Sequence, residues 1–240
     1  MEERFQFYRK LVAKISNRVG DLMYTTSHGG NISCRFDADF IAATPTKCNK
    51  RLVGEDEICI VRRNGELVYK KDGTSVTSEF PIHNHIYYIR EDVNAVIHAH
   101  PPITTGLAIA HSDVFEKAIL PESCMELGPV LSVPYMDPGS KELAENIGEA
   151  IKKTNAIIMQ NHGVIVVSSE GLNKALEMLE LLEVTATSLM VAQIFGKINT
   201  ISDDNIVRIS NLYHLRGIPV PGKVGFYQDA SETFLKHSKD

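Results

Sequence analysis

Strand patterns and helix patterns alternate along almost the whole chain, and this alternation most constrains its fold. The early part contains two hairpin patterns. In the second, apolar residues 58–61 and 67–69 bracket Asn64-Gly65, a dipeptide typical of two-residue hairpin turns. Helical periodicity marks other segments, of which residues 172–195 are the longest. Because adjacent hairpins pair antiparallel, the pattern predicts an α/β domain whose sheet is at least partly antiparallel.

The alternation continues to residue 201, and residues 202–240 form a looser C-terminal tail. No linker-like stretch divides residues 1–201, so we expect one domain there, with the tail packed on it or on a neighbouring subunit. The tail is expected to include a short helix over residues 203–215. Hydroxyl side chains are preferred N-caps, and the sequence predicts that Ser78 caps a helix reaching about residue 90 and that Ser140 caps a later one.

Composition excludes several functional classes. The chain has 240 residues, 43% of them hydrophobic and 23% charged, which is ordinary usage for a globular domain with a full core. Its 25 basic and 30 acidic residues give a formal net charge of −5, so it lacks the basic surface that nucleic-acid binding requires. Four scattered cysteines favour free thiols in a cytoplasmic protein. We expect no apolar segment long enough to span a membrane.

Three of the nine histidines lie where they could share a metal ion. His98 and His100 are two residues apart in a predicted strand, so both side chains point to the same face. His162 lies in a sharp turn between two apolar strands, and strand ends are where α/β domains gather ligands. Imidazole nitrogen is a preferred zinc ligand, and a catalytic zinc commonly has three protein ligands. The alternatives are two hydrogen-bonded core histidines and an ordinary turn residue.

Glu79 is the candidate acid–base residue. It lies at the start of a predicted helix, where the helix dipole favours a negative charge, and its role there could be only stabilising. Beside a metal ion the same carboxylate could act as a general base. His83 follows four residues later on the same helical face, so a separate Glu79/His83 metal pair is an alternative.

Three loops rich in glycine, hydroxyl groups and backbone N–H groups could bind a phosphate. The first loop contains Asn31, the second contains Thr46 and Lys47, and the third contains Thr77 and Ser78. Such residues are also common in ordinary turns, so each loop taken singly indicates little.

Together these segments resemble the class II aldolase/adducin family. The resemblance runs from about residue 5 to residue 197 and rests on five motifs in order: Gly30-Asn31-Ile32-Ser33, Thr44-Pro45-Thr46, Thr77-Ser78-Glu79, Val96-Ile97-His98-Ala99-His100-Pro101 and Asn161-His162-Gly163-Val164. It implies a single-domain, three-layer fold with a central, mainly antiparallel sheet flanked by helices. It also implies a cyclic homotetramer with active sites at subunit contacts.

The resemblance also implies which residues act in the site. His98, His100 and His162 match the zinc ligands of the family. Glu79 matches the residue that transfers a proton in the aldolases and can itself touch the metal without substrate. The positions that match the family's phosphate site are Asn31, Thr46, Thr77 and Ser78.

Two positions depart from the family pattern. Lys47 replaces the glycine of a Thr-Pro-Thr-Gly motif, which removes a close backbone approach but could pair with a phosphate or carboxylate. The catalytic tyrosine of the aldolases has no counterpart in residues 120–126. Tyr135, Glu122 and Glu126 are the open substitutes for this proton donor.

These features predict a zinc-dependent sugar-phosphate aldolase. A ketose 1-phosphate would be cleaved reversibly to dihydroxyacetone phosphate and an aldehyde, with Zn²⁺ stabilising the enediolate and Glu79 as base. One alternative is a dehydratase or decarboxylase of a phosphorylated sugar or sugar acid on the same zinc site. Another is an adducin-like scaffold without activity. Family members close the pocket with C-terminal aromatic residues, for which Tyr213, Phe226 and Tyr227 are candidates, although ordinary packing is the favoured interpretation of all three.

Overall fold

The predicted hairpins form the first half of an eight-stranded sheet, the central layer of the molecule. The structure is a computed structural model, which describes residues 1–110 and 114–216. The strands are β1 Asn31–Arg35, β2 Phe40–Ala43, β3 Cys59–Arg62, β4 Leu67–Tyr69, β5 Ala95–Ala99, β6 Leu131–Val133, β7 Ala156–Met159 and β8 Gly163–Ser168. Their order across the sheet is β4-β3-β2-β1-β5-β8-β7-β6. Among the described strands only the β6–β7 pair is parallel, so the predicted, mainly antiparallel sheet is confirmed.

Helices cover both faces of this sheet. They are α1 Glu2–Asp21, α2 Phe80–Ile89, α3 Pro102–Ala110, α4 Pro121–Glu126, α5 Lys141–Ile151, α6 Leu172–Phe195 and α7 Asp203–Leu215. Neighbouring residues of a strand face opposite layers: Ile97 of β5 packs in the cluster under α1, α3 and α6, while Val96 packs in the cluster under α2 and α5. The three-layer α/β fold expected from the sequence is therefore present. Helix α7 packs on α4.

The helix predicted to begin at Ser78 begins slightly later. Its N-cap is Glu79, and the cap has no side-chain hydrogen bond. Thr77 supplies the hydroxyl instead, because its Oγ1 accepts the Glu79 N–H at 3.3 Å. The prediction of Ser78 as cap was wrong, whereas Ser140 does cap α5 by accepting an N–H three residues later at 3.1 Å.

Helix α6 corrects the expectation that no segment is apolar and long enough to span a membrane. An 18-residue window of this helix has a mean hydropathy of 1.4, which meets that criterion by length and composition. In the structure α6 packs on β5, β8, α1 and α3. Its buried Glu183 accepts the backbone N–H groups of Ile103 and Thr104 at 2.8 Å each and so caps the start of α3. This helix is therefore a core helix of the domain.

All four cysteines are free thiols, and three of them are buried. Burial raises the pKa of Cys34 to about 12, and it raises the pKa of Cys59 and of Cys124 to about 11. These three thiols are therefore protonated at neutral pH and are not poised as nucleophiles or metal ligands.

Candidate active site and metal centre

Two histidines come from the end of β5, in the middle of the sheet. His98 pairs with Asn31 of β1 on one side and with Ile165 of β8 on the other, and it is 2% exposed. Its position two residues after Val96 places it on the sheet face that α2 and α5 cover. His100 follows directly after the strand, and the two ring centroids are 4.8 Å apart. The two side chains therefore meet, as the alternation of a strand predicts.

The turn between β7 and β8 brings His162 to this pair. Asn161 in the turn has a φ of 57°, a left-handed conformation that asparagine tolerates better than most residues. At Gly163 a Cβ atom would lie 2.5 Å from a backbone carbonyl oxygen and against the ring of His100, so only glycine fits. The turn places the His162 ring centroid 4.8 Å from that of His98 and 5.5 Å from that of His100.

The surroundings keep the rings of His98 and His100 in the neutral form that metal binding requires. Burial lowers the pKa of His98 well below its usual value, and the neighbouring His100 and His162 lower it further. Burial, and after it His162, lowers the pKa of His100 to about 4. At neutral pH both rings therefore carry a free lone pair and can bind a cation without first losing a proton.

The donor set of this cluster fits a metal ion. One ligand atom from each ring lies within 4.8 Å of the other two. Nδ1 of His98 lies 2.9 Å from the carbonyl oxygen of Val164, so in the neutral ring this nitrogen donates and Nε2 keeps the lone pair. His98 Nε2 is 3.2 Å from His100 Nε2, and two nitrogens bound tetrahedrally to one zinc ion would lie about 3.3 Å apart. His162 Nδ1 is buried without a hydrogen-bond partner among the described residues.

The Glu79 carboxylate lies beside the histidine cluster. Its Oε2 is 3.4 Å from Nε2 of His98, and its Oε1 is 3.9 Å from Nε2 of His162. The side chain is 14% exposed, so it can reach the cavity while most of its surface is shielded from water. This proximity arises because α2, which Glu79 precedes, packs on the sheet face that carries His98.

The three loops expected to bind phosphate line the same cavity as the histidines. Two of them are joined by backbone hydrogen bonds, from Thr46 N to Ser75 O at 2.8 Å and from Thr77 N to Thr44 O at 3.1 Å. The cavity has a volume of about 180 Å³. Its lining residues are His28, Gly29, Gly30, Asn31, Pro45, Thr46, Lys47, Lys50, Thr77, Ser78, Glu79, His98, His100 and His162. The structure thus brings together the residues that the sequence selected as metal ligands, as the acid–base residue and as phosphate-binding residues.

Two lysines line this cavity. Lys47 is exposed and has a φ of 55°, a left-handed conformation that is strained for lysine. Lys50 is 2% exposed, and its ammonium group donates to the carbonyl oxygens of His28 and Cys48 at 3.3 and 3.2 Å. Sequence reasoning missed Lys50, because nothing in its loop indicates that the side chain turns inward.

Asn31 has side-chain partners that the sequence did not predict. Its Nδ2 donates to Glu79 Oε2 at 2.5 Å, and its Oδ1 lies 2.5 Å from Nε2 of His83. The other ring nitrogen of His83 lies 2.7 Å from Ser33 Oγ. Both nitrogens of His83 therefore have protein partners, which removes the basis for the alternative Glu79/His83 metal pair.

The three substitutes for the family tyrosine lie away from this cavity in the part of the chain that the structure describes. Glu126 is paired with Lys174. Tyr135 is 55% exposed, with its hydroxyl 3.5 Å from Asp137, and Glu122 is exposed at the start of α4. None of the three is a member of the cavity lining.

Of the three aromatic candidates for closing the pocket, the one in the described part of the chain shows ordinary packing instead. Tyr213 packs against the small apolar cluster of α4 and α7, beside Ile206. It is not among the residues that line the cavity. Phe226 and Tyr227 lie outside the described residues.

The sequence and the fold are matched by known proteins. Residues 10–190 match the sequence model of the class II aldolase and adducin N-terminal domain. The chain belongs to this family. Its relatives are named as aldolases and decarboxylases, both of which are lyases, and this class II aldolase family member is accordingly an enzyme of the lyase class.

Two curated relatives and one solved structure illustrate the match. The chain is 34% identical to L-fuculose phosphate aldolase of Methanococcus maripaludis over 157 residues, which cover 65% of this chain and 82% of the relative. It is 26% identical to 3-oxo-tetronate 4-phosphate decarboxylase of Haemophilus influenzae over 206 residues, which cover 85% and 96% of the two chains. A solved L-fuculose 1-phosphate aldolase superposes with a TM-score of 0.74 at 24% identity, covering 86% of this chain and 96% of that one.

Proposed function

We propose that this enzyme is a zinc-dependent sugar-phosphate aldolase, which cleaves a ketose 1-phosphate reversibly to dihydroxyacetone phosphate and an aldehyde. One observation carries the proposal: the Glu79 carboxylate lies 3.4 and 3.9 Å from two of three clustered histidines. A base beside a metal site suits the transfer of a proton at the carbon next to a carbonyl.

In this proposal His98, His100 and His162 hold the zinc ion, since three imidazole ligands are typical of catalytic zinc. When bound, zinc supplies Lewis-acid polarisation of the substrate carbonyl. Glu79 holds and returns the proton at the carbon next to that carbonyl. Asn31 orients the carboxylate through its 2.5 Å hydrogen bond.

The proton balance identifies what else the reaction needs. When the bond between C3 and C4 of the ketose breaks, the C4 hydroxyl loses a proton and its oxygen becomes the carbonyl of the aldehyde. The electron pair stays on the three-carbon fragment as an enediolate, and Glu79, which in this direction first takes up a proton from solvent, donates that proton to C3. An acceptor for the C4 hydroxyl proton is therefore required. We assign this acceptor to a neighbouring subunit of the predicted homotetramer, because Tyr135 and Glu122 are exposed on this chain.

The phosphate end of the substrate is assigned to the loops opposite the histidines. Thr46, Thr77 and Ser78 supply hydroxyl groups there, and Lys47 and Lys50 supply positive charge. Asn31 lines the same cavity and is the fourth position that matches the family's phosphate site, although its side chain also donates a hydrogen bond to Glu79. A chain of net charge −5 can in this way bind a phosphate with local groups alone.

The strained backbone of Lys47 gives a direct test of this assignment. In the Lys47→Gly variant the left-handed strain of about 1–2 kcal/mol is released, and the greater freedom of glycine in the unfolded chain offsets about 0.4–1 kcal/mol of it. We expect the free energy of unfolding to rise by about 0.5–1 kcal/mol. Binding of inorganic phosphate should weaken about fivefold, since one partly screened charge is lost. Denaturant titration and phosphate inhibition measure the two effects, and unchanged phosphate inhibition would refute the assignment.

A decarboxylase of a phosphorylated 3-oxo acid is the second candidate, and one comparison favours it. The 3-oxo-tetronate 4-phosphate decarboxylase relative is matched over 96% of its length. Loss of carbon dioxide from such an acid leaves the same enediolate of dihydroxyacetone phosphate, which Glu79 would protonate in the same way. No hydroxyl proton has to be accepted in that reaction, so the missing tyrosine is no obstacle. Lys47 would then be available for the carboxylate.

Deuterium exchange into dihydroxyacetone phosphate tests the part that both reactions share. We expect the full chain with zinc to exchange one hydrogen of the hydroxymethyl carbon in D₂O, as followed by proton NMR. A chelator should abolish the exchange, and added zinc should restore it. Incubation with ketose 1-phosphates and with a 3-oxo-4-phosphate acid then separates the candidates, because the first releases an aldehyde and the second carbon dioxide. The absence of exchange in the zinc-loaded protein would disprove both.

The scaffold and dehydratase alternatives differ in how far the observations bear on them. A non-catalytic, adducin-like scaffold is disfavoured, because the relatives are lyases and the chain retains the histidine cluster with its carboxylate. The dehydratase alternative stays a prediction. So do the homotetramer, the cytoplasmic location and the domain boundary at residue 201.

A further inference from the structure

A chain of buried hydrogen bonds extends behind Glu79, away from the cavity. The Tyr87 hydroxyl lies 2.8 Å from Ser33 Oγ, which lies 2.7 Å from Nδ1 of His83. From Nε2 of His83 the chain continues to Asn31 Oδ1 at 2.5 Å, and from Asn31 Nδ2 to Glu79 Oε2 at 2.5 Å. The three residues farthest from the cavity are 0–1% exposed. Polar groups buried to this extent are costly unless each one is paired, and here each one is.

The direction of every hydrogen bond follows from the Glu79 end. As a base, Glu79 is a carboxylate and can only accept, so Asn31 must turn its NH₂ group toward Glu79 and its carbonyl toward His83. His83 must then donate from Nε2. Burial lowers the pKa of His83 to about 3, and the neighbouring His98 contributes to this. The ring is therefore neutral at pH 7, and its Nδ1 accepts from Ser33, whose oxygen in turn accepts from Tyr87.

We propose that His83 is a positioning residue, which fixes the Asn31 amide so that its nitrogen holds Glu79 Oε2 in place beside the histidine cluster. Without the Nε2–H donor, the Asn31 amide can rotate by half a turn and present its carbonyl oxygen to the carboxylate. Two oxygens would then repel each other, and the carboxylate would leave its position 3.4 Å from His98. The inference rests on the proposed role of Glu79 as base.

Two amide substitutions at His83 separate this role from simple packing. The side-chain nitrogen of glutamine can occupy the place of Nε2 and donate to Asn31, whereas the shorter asparagine reaches only the place of Nδ1, next to Ser33. In both His83→Gln and His83→Asn the side chain at this position is polar and loses one of its two hydrogen-bond partners. Only His83→Gln keeps the hydrogen bond to Asn31. If His83 served only to fill the core, activity would follow thermal stability in both variants.

The experiment compares these variants in the full chain with zinc bound. In the deuterium exchange of dihydroxyacetone phosphate, we expect His83→Asn to lower kcat about 10- to 100-fold, the range found for residues that orient a ligand or base from behind, with KM and zinc affinity unchanged. We expect His83→Gln to stay within a few-fold of the unmodified protein. Equal losses in both variants, or a loss that appears in KM or zinc affinity instead, would overturn the proposal.

A second measurement does not depend on activity. A nitrogen-15 correlation spectrum of the metal-free full chain reports which ring nitrogen of His83 carries the proton. The proposal expects the Nε2–H form, and an Nδ1–H ring overturns it even in an active enzyme. Conversely, if His83 carries its proton on Nε2 but the protein exchanges no deuterium, the proposed function is wrong and the inferred hydrogen-bond chain is still supported.

Discussion

The Glu79→Gln variant is expected to keep its metal and to lose its chemistry. Glutamine has the same shape as glutamate, and its side-chain oxygen can still accept the hydrogen bond from Asn31, so the fold and the histidine cluster stay intact. It cannot take a proton at the carbon next to the substrate carbonyl. Because positioned general bases typically contribute about 10²- to 10⁴-fold, deuterium exchange into dihydroxyacetone phosphate should fall by about that factor. Proton NMR in D₂O measures the exchange.

The control for this variant is another carboxylate, one that lies far from the cavity. Glu180 of α6 pairs with Arg18 on the surface, and Glu180→Gln should leave the exchange unchanged. Metal analysis should give the same zinc content for both variants and for the unmodified protein. If the rate of deuterium exchange in Glu79→Gln stays within a few-fold of that of the unmodified protein, another group is the base and the proposed mechanism is wrong.

Much of this site could be predicted because its geometry is local. The spacing of His98 and His100 in a strand dictates that their side chains share a face. The turn at Asn161 and Gly163 marks a strand end, where ligands gather. Glu79 lies next to a helix start that a sequence pattern reveals. Each of these patterns depends on a few consecutive residues, so it can be recognised in the sequence without any knowledge of the fold.

The parts that sequence reasoning missed depend on contacts between distant segments. Asn31 was assigned to phosphate alone, but β1 pairs with β5 and α2 packs above both, so the amide lies between Glu79 and His83. Lys50 was missed because only the folded loop turns its side chain inward. The short helix α4 was missed because its six residues carry too little periodicity to distinguish a helix from a loop.

Helix α6 shows that the composition of a segment does not by itself identify its environment in the fold. Helical periodicity predicts this helix, and its composition is apolar enough to resemble a membrane span. The structure resolves the contradiction through burial: one side packs on the sheet, while Glu183 is buried as a cap for α3. Average hydropathy cannot separate a core helix from a membrane helix, because both avoid charge over the same length.

Loss of His98 is expected to have the largest effect on metal binding. This ring is buried, and its Nδ1 is held by the carbonyl oxygen of Val164, so Nε2 is fixed toward the other two histidines before any metal arrives. Structural zinc sites with four ligands bind with about 10–16 kcal/mol, or roughly 2.5–4 kcal/mol for each ligand. The His98→Ala variant should therefore bind zinc about 10²- to 10³-fold more weakly. Titration of the metal-free protein with zinc measures this affinity.

Two further variants make the test robust against simple unfolding. His98→Ala leaves a hole in the core and an unpaired Val164 carbonyl, so a loss of stability accompanies it. His162→Ala alters a partly exposed turn residue and should lower zinc affinity by a similar factor while the thermal unfolding curve changes little. His28→Ala removes an imidazole that lines the cavity but is outside the cluster, and its zinc affinity should equal that of the unmodified protein. If all three variants bind zinc equally well, the metal centre does not lie at these histidines.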